Sequence, residues 1–141
     1  AVRAPAAAFG DRCSVLEMDV SNSDSVSRAA AEYQKRGQKL YALVNNAGTV
    51  AGDAKTIFDI NTRGPKCVTD AFLPSLEAGG RVVMISSGAA PMCVTKSSEA
   101  KKALFVDPAV TWAQIDGEMA AVGAKEDLEA AGIGRSRFPR R

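Results

Sequence analysis

Between residues 10 and 90, short β-rich runs alternate with amphipathic helical stripes, and this order constrains the fold more than any other feature of the chain. "CSVLEMDV", residues 13 to 20, reads as a strand that ends on an acid. Ser21 with Asp24 three residues later predicts a capping box, and Val26, Ala29, Ala30 and Tyr33 then fall at i, i+3, i+4 and i+7 as one apolar stripe. Gly37 after Arg36 is a natural stop. "YALV" predicts a short buried strand, and from Asp53 a second stripe runs through Ile57, Ile60, Gly64, Val68, Ala71 and Phe72, with Pro65 interrupting it and Pro74 near its end. After the Gly79-Gly80 break, "RVVMISS" at 81 to 87 reads as a third strand. Strands joined by helices argue for a parallel, doubly wound α/β sheet.

From Gly88 onward the pattern is helix and loop. Asp107-Pro108 predicts an N-cap with proline at the first helical position, and Trp112, Ile115, Met119 and Val122 make the stripe that follows. With no internal repeat and no linker, one domain over 1-141 is the economical count.

Composition removes several functions. The chain is 46% hydrophobic and 24% charged, a globular balance, and its formal charge of +2 is too small to imply nucleic acid or a membrane surface. Arg135, Arg137, Arg140 and Arg141 crowd the last seven residues, which read as a solvated tail and come without an aromatic platform for bases. There is no histidine, so Ser-His-Asp and Cys-His triads are excluded. Cys13, Cys67 and Cys93 are odd in number and far apart, which leaves neither a metal cluster nor a disulfide framework. They read as reduced core residues, which suits the cytoplasm. No apolar run approaches the roughly 20 residues that span a bilayer, and the N-terminus has no signal-peptide core.

In an open α/β sheet, ligands bind beyond the carboxyl ends of the strands. Three strands here end in polar groups: Asp19, the Asn45-Asn46 pair, and Ser86-Ser87. Short polar side chains at such ends hold a turn or face a ligand, and glycine at 48 allows close approach of the backbone.

"EMDV" at 17 to 20, "NNAG" at 45 to 48, "NTRG" at 61 to 64 and "GGRVVMISS" at 79 to 87 together resemble the short-chain dehydrogenase/reductase family in order and approximate spacing, over residues 10-90. The resemblance implies a Rossmann-type doubly wound parallel sheet, present here as its third to fifth strands with flanking helices. It also implies that two strands outside this sequence lie between the third and fourth, leaving "CSVLEMDV" without a native neighbour. It makes the chain part of an NAD(P)-dependent oxidoreductase. Asp19 and the backbone at Val20 would hold the adenine, while Asn45, Asn46, Ala47 and Gly48 would steady the central sheet and line the adenine-ribose side. Asn61 would sit at a helix irregularity and fix a water of the proton relay; Ser87, in preference to Ser86, would bond the substrate carbonyl oxygen. The region 91-141 is similar to the helical insertion of the carbonyl-reductase subgroup. That likeness implies NADP(H) more than NAD(H), a small-molecule aldehyde or ketone as substrate, and a monomer.

Two parts of the family pattern do not occur in these residues: the TGxxxGxG turn that receives the pyrophosphate, and the YxxxK that donates and tunes the proton. The only tyrosines, Tyr33 and Tyr41, precede Ser87. The expectation is an internal fragment of an enzyme, inactive in isolation. The alternative is a non-catalytic relative kept as a binding or interaction module.

Overall fold

The computed structural model describes residues 9–123, which form two compact units: the residues up to Gly48 together with Asp59–Met84, and Thr49–Phe58 together with the residues from Ile85 onward.

In the first unit, helix α1 spans Ser23–Gln34. Its cap is Asn22, whose Oδ1 accepts a hydrogen bond from the Ser25 N–H at 3.0 Å. Ser21 does not form the expected capping box, because its N–H and hydroxyl are both drawn to the Asp19 carboxylate. The predicted stripe is the buried face: Val26, Ala29 and Ala30 meet Val68 and Phe72 from the second helical segment, and Tyr33 packs against this cluster with its ring 6.0 Å from that of Phe72. Fully burying one valine, as at Val26, stabilises by about 2 kcal/mol. Gly37, at φ +66°, lets the chain turn away after the helix where a β-carbon would be strained.

Strand β1, Leu40–Asn45, pairs in parallel with strand β2, Leu76–Met84. Leu40 pairs with Leu76, but Ala42 pairs with Arg81, so Glu77 to Gly80 loop out opposite Tyr41, with Gly79 at φ +80°. The glycine pair expected to precede the strand therefore lies inside it. The strand also ends before Ser87. Met84 pairs with Asn45, the last residue of β1, and beyond that point Ile85 to Ser87 have no ladder to join. Nor is β1 buried throughout: Leu40 and Leu43 pack on the core, whereas Tyr41 and Val44 are 60% and 55% exposed. Helices cover one face of this two-stranded sheet, and Val44, the neighbour of Leu43, points to the other.

Residues 13 to 20 are not a strand. Cys13 has extended angles, and Leu16, Met18 and Val20 pack on the core while Val15, Glu17 and Asp19 are exposed, so the two-residue period of a strand is kept. What is missing is a hydrogen-bonded neighbour, and no described residue supplies one.

The stripe that begins after Asp53 forms three consecutive pieces: helix α2 at Ala54–Phe58, a π-turn at Asp59–Arg63, and helix α3 at Gly64–Phe72, which closes in a 3-10 turn at Leu73–Ser75. Asp53 caps it through Oδ1, which accepts from the Thr56 N–H at 2.8 Å.

In the second unit, α2 packs against helix α6, Trp112–Gly123, and helix α4, Ala89–Lys96, against helix α5, Glu99–Val106. An ion pair between Lys101 and Glu118 ties α5 to α6. Met119 and Val122 are buried and Trp112 and Ile115 half-buried, as the stripe requires. Asp107-Pro108 does not start this helix. Asp107 instead ends α5 and holds a turn through the Ala109 N–H, and the cap of α6 is Thr111, which exchanges hydrogen bonds with Gln114 in a capping box. The three cysteines are free, but Cys13 is exposed and Cys67 and Cys93 are half-buried, so only Cys67 packs against the core. The arginine tail lies outside the described residues.

Candidate functional site

Asn45 closes β1 and is 8% exposed. Its Nδ2 donates to Thr69 Oγ1 of α3 at 3.0 Å, and Asn46, Ala47 and Gly48 then leave the sheet as an exposed turn. A cavity of about 120 Å³ opens here, walled by Met18, Val20, Leu43, Asn45, Ala47 and Phe72 among others. At the far end of the turn, a β-carbon built on Gly48 would lie 3.4 Å from Asn61 Oδ1.

Asn61 sits in the π-turn. Proline at 65 has no N–H with which to bond the carbonyl of residue 61, the i−4 partner that an α-helix would use, and its ring crowds that carbonyl. A wider turn relieves both conflicts. Within the turn, Arg63 pairs with Asp59 at 2.7 Å.

Asp19 ends the extended segment. Its Oδ1 accepts from the Ser21 hydroxyl at 2.7 Å and from the Ser21 N–H at 2.9 Å, and its own N–H donates to Ser25 Oγ at 3.0 Å. These bonds to Ser21, the hydroxyl first, hold the Asp19 carboxyl below its ordinary range. Oδ2 has no partner among the described residues. Val20 is half-buried against Gly64, where an added β-carbon would come within 3.1 Å of the valine methyl.

Asp19, Val20, Asn45, Asn46, Ala47, Gly48 and Asn61 thus belong to one unit, and Val20 shares a cavity wall with Asn45, Asn46 and Ala47. Ser87 belongs to the other. Its Oγ accepts from the Ala89 N–H at 3.1 Å and its carbonyl from the Ala90 N–H at 3.0 Å, which sets the head of α4. The hydroxyl proton remains to be donated.

Asp19, Val20 and the Asn45-to-Gly48 turn of the first unit have the chemistry that the adenine-ribose end of a dinucleotide would require. An ionised, exposed carboxylate with an uncommitted oxygen suits an exocyclic amine, Val20 and its cavity give an apolar wall, and the turn brings backbone to the surface. Sequence reasoning missed Ser25 and Thr69 as supports, and read Ser21 as a helix cap and Gly64 as a stripe and motif position where the structure sets them against Asp19 and Val20. Ser21 was readable, since a serine two residues after an aspartate is a common turn pairing. Thr69 carried the fainter sign of a hydroxyl beside Val68 in an apolar stripe.

Among the described residues no helix is long and apolar enough to cross a membrane, and no group of three or more His, Cys, Asp or Glu could hold a metal. A family model described as short chain dehydrogenase matches residues 1–103. Human retinol dehydrogenase 5 is 39% identical over 84 residues, covering 50% of this chain and 26% of that protein. The oxidoreductase UcpA of Salmonella typhimurium is 35% identical over 89 residues, 55% of this chain and 34% of its own length. The chain therefore spans about a quarter to a third of these relatives. The NADPH-bound carbonyl reductase from chicken fatty liver superposes with a TM-score of 0.56 at 23% identity, over 62% of this chain and 41% of that one, a likeness of fold.

Proposed function

The chain belongs to the short-chain dehydrogenase family, and from that premise we propose that it serves an NAD(P)-dependent oxidoreductase that reduces small aldehydes or ketones, with NADP(H) preferred over NAD(H). The observation that carries this reading is the Asn45-to-Gly48 turn set against Asn61 in its π-turn, with Val20 on the same cavity. A bound nicotinamide dinucleotide would supply the hydride. Asp19 accepts from the adenine amine, and Val20 and Ala47 exclude water from the ring. Asn61 fixes a water for proton transfer. Ser87 donates a hydrogen bond from its hydroxyl to the substrate carbonyl oxygen and orients it, while an oxygen lone pair stays engaged by the Ala89 N–H. No YxxxK occurs in the 141 residues, so proton delivery is assigned to no residue of this chain, and the chain alone is expected to turn nothing over.

The preference for NADP(H) draws on the likeness of the segment after Ser87 to carbonyl reductases. A cytoplasmic monomer is part of the same reading, and three free cysteines suit a reducing compartment.

Saturation-transfer NMR with NADPH and NADH tests the proposal. Saturation should reach the adenine protons first, more strongly for NADPH, and should fall in Asp19→Ala. Absence of transfer to either dinucleotide overturns it.

A further inference from the structure

We infer that Thr69 is a positioning residue for the Asn45-to-Gly48 turn, an inference that rests on reading this turn as cofactor-binding. Helix α3 presents Pro65, Val68 and Phe72 to the cavity beyond β1, and Thr69, next to Val68, reaches Asn45 of the same cavity wall. Threonine in a helix is confined essentially to two χ1 rotamers, so its Oγ1 has few positions to choose between. It accepts from Asn45 Nδ2 at 3.0 Å, and Asn45, at 8% exposure, has little access to water as a substitute. The hydrogen bond therefore ties the Asn45 amide to α3, with its nitrogen donating to Thr69 Oγ1.

The consequence reaches beyond Asn45. Its residue is the last in the ladder, paired with Met84, so the exit of the chain from the sheet is set there. Gly48, three residues on, abuts Asn61. Both contacts are on one continuous helical segment, eight residues apart, or about 12 Å along its axis. The turn is bracketed between them, so loss of the Thr69 end frees Ala47 and Gly48 to shift relative to Asn61. Thr69 is assigned no contact of its own with the cofactor; it acts through Asn45.

The test uses the whole 141-residue chain in three forms: wild type, Thr69→Val, which keeps the shape and loses the acceptor, and Thr69→Ser, which keeps the acceptor. In nitrogen-proton NMR spectra, Thr69→Val should remove the protection of the Asn45 side-chain amide and move the Ala47 and Gly48 resonances while leaving those of Ala29 and Ala30 in place; Thr69→Ser should restore the wild-type pattern. Loss of one hydrogen bond corresponds to an NADPH Kd about fivefold weaker in Thr69→Val, with recovery in Thr69→Ser. Unmoved Ala47 and Gly48 resonances in Thr69→Val overturn the inference, as does an equal Kd in all three. A wild-type chain that binds no dinucleotide sinks the cofactor reading of the preceding section, and the resonances then decide the role of Thr69 alone.

Discussion

Asp19 shows how a single exposed side chain is tuned. Its carboxyl lies below the ordinary range because the Ser21 hydroxyl, and then the Ser21 N–H, bond its ionised form. For an acid whose folded value is depressed, whatever the ionised form contributes is fully present above the unfolded value and is lost as pH falls through the folded one. Dinucleotide affinity that depends on Asp19 should therefore hold across neutral pH and fade only in acid. Ser21→Ala removes the larger cause, so a carbon NMR titration should find the Asp19 midpoint moved upward, toward that of an ordinary aspartate. A midpoint that stays put would acquit the hydroxyl. At this scale the sequence was legible where the residue type carries its own geometry. Proline at 65 announced an irregular helix at Asn61, and glycine at 37 announced a stop. Illegible were the choices between near-equals. Asn22 and Ser21 are both good caps, and what separated them was that Ser21 had Asp19 within reach.

The elements divide in the same way, into what a stripe can say and what only a neighbour can. Helix α1 and helix α6 follow their periodicity, because the apolar face that makes the stripe is the one that is buried. Strands depend on partners distant in sequence. Residues 13 to 20 have the alternation of a strand and pack Leu16, Met18 and Val20 on the core, yet they join no ladder among the described residues. Strand β2 starts earlier and stops sooner than its composition suggests, since β1 sets both ends. A hydrogen-exchange measurement should see the difference directly. Amides from Ser14 to Met18 should exchange at least tenfold faster than those of Leu43 to Asn45, although both segments bury side chains on the same cluster, because exchange follows hydrogen bonding and not side-chain burial. Equal protection would mean that the segment has a ladder partner after all.

At the scale of the molecule, one face of the sheet in the first unit packs on helices and the other leaves apolar side chains exposed among the described residues. Val44 and Val83 pair across the strands, face away from the core and are 55% and 38% exposed. Contiguous apolar surface of this kind binds hydrophobic dyes. The chain should bind anilinonaphthalene sulfonate, and the double substitution Val44→Thr with Val83→Thr should reduce the emission by half or more with unchanged circular dichroism; undiminished emission would place the dye elsewhere. The family and the strand-helix alternation were readable from order and spacing, whereas this bare face was not, because a sequence shows which residues are apolar and not which of them find cover. The two units carry a last consequence. The chain passes between them three times, after Gly48, after Phe58 and after Met84, and the middle passage falls inside a continuous helical segment, at the first residue of the π-turn. Neither unit is a contiguous stretch, so no choice of start and stop cuts one out whole. Their segments alternate along the chain, and any gene built to express half of it would carry pieces of both.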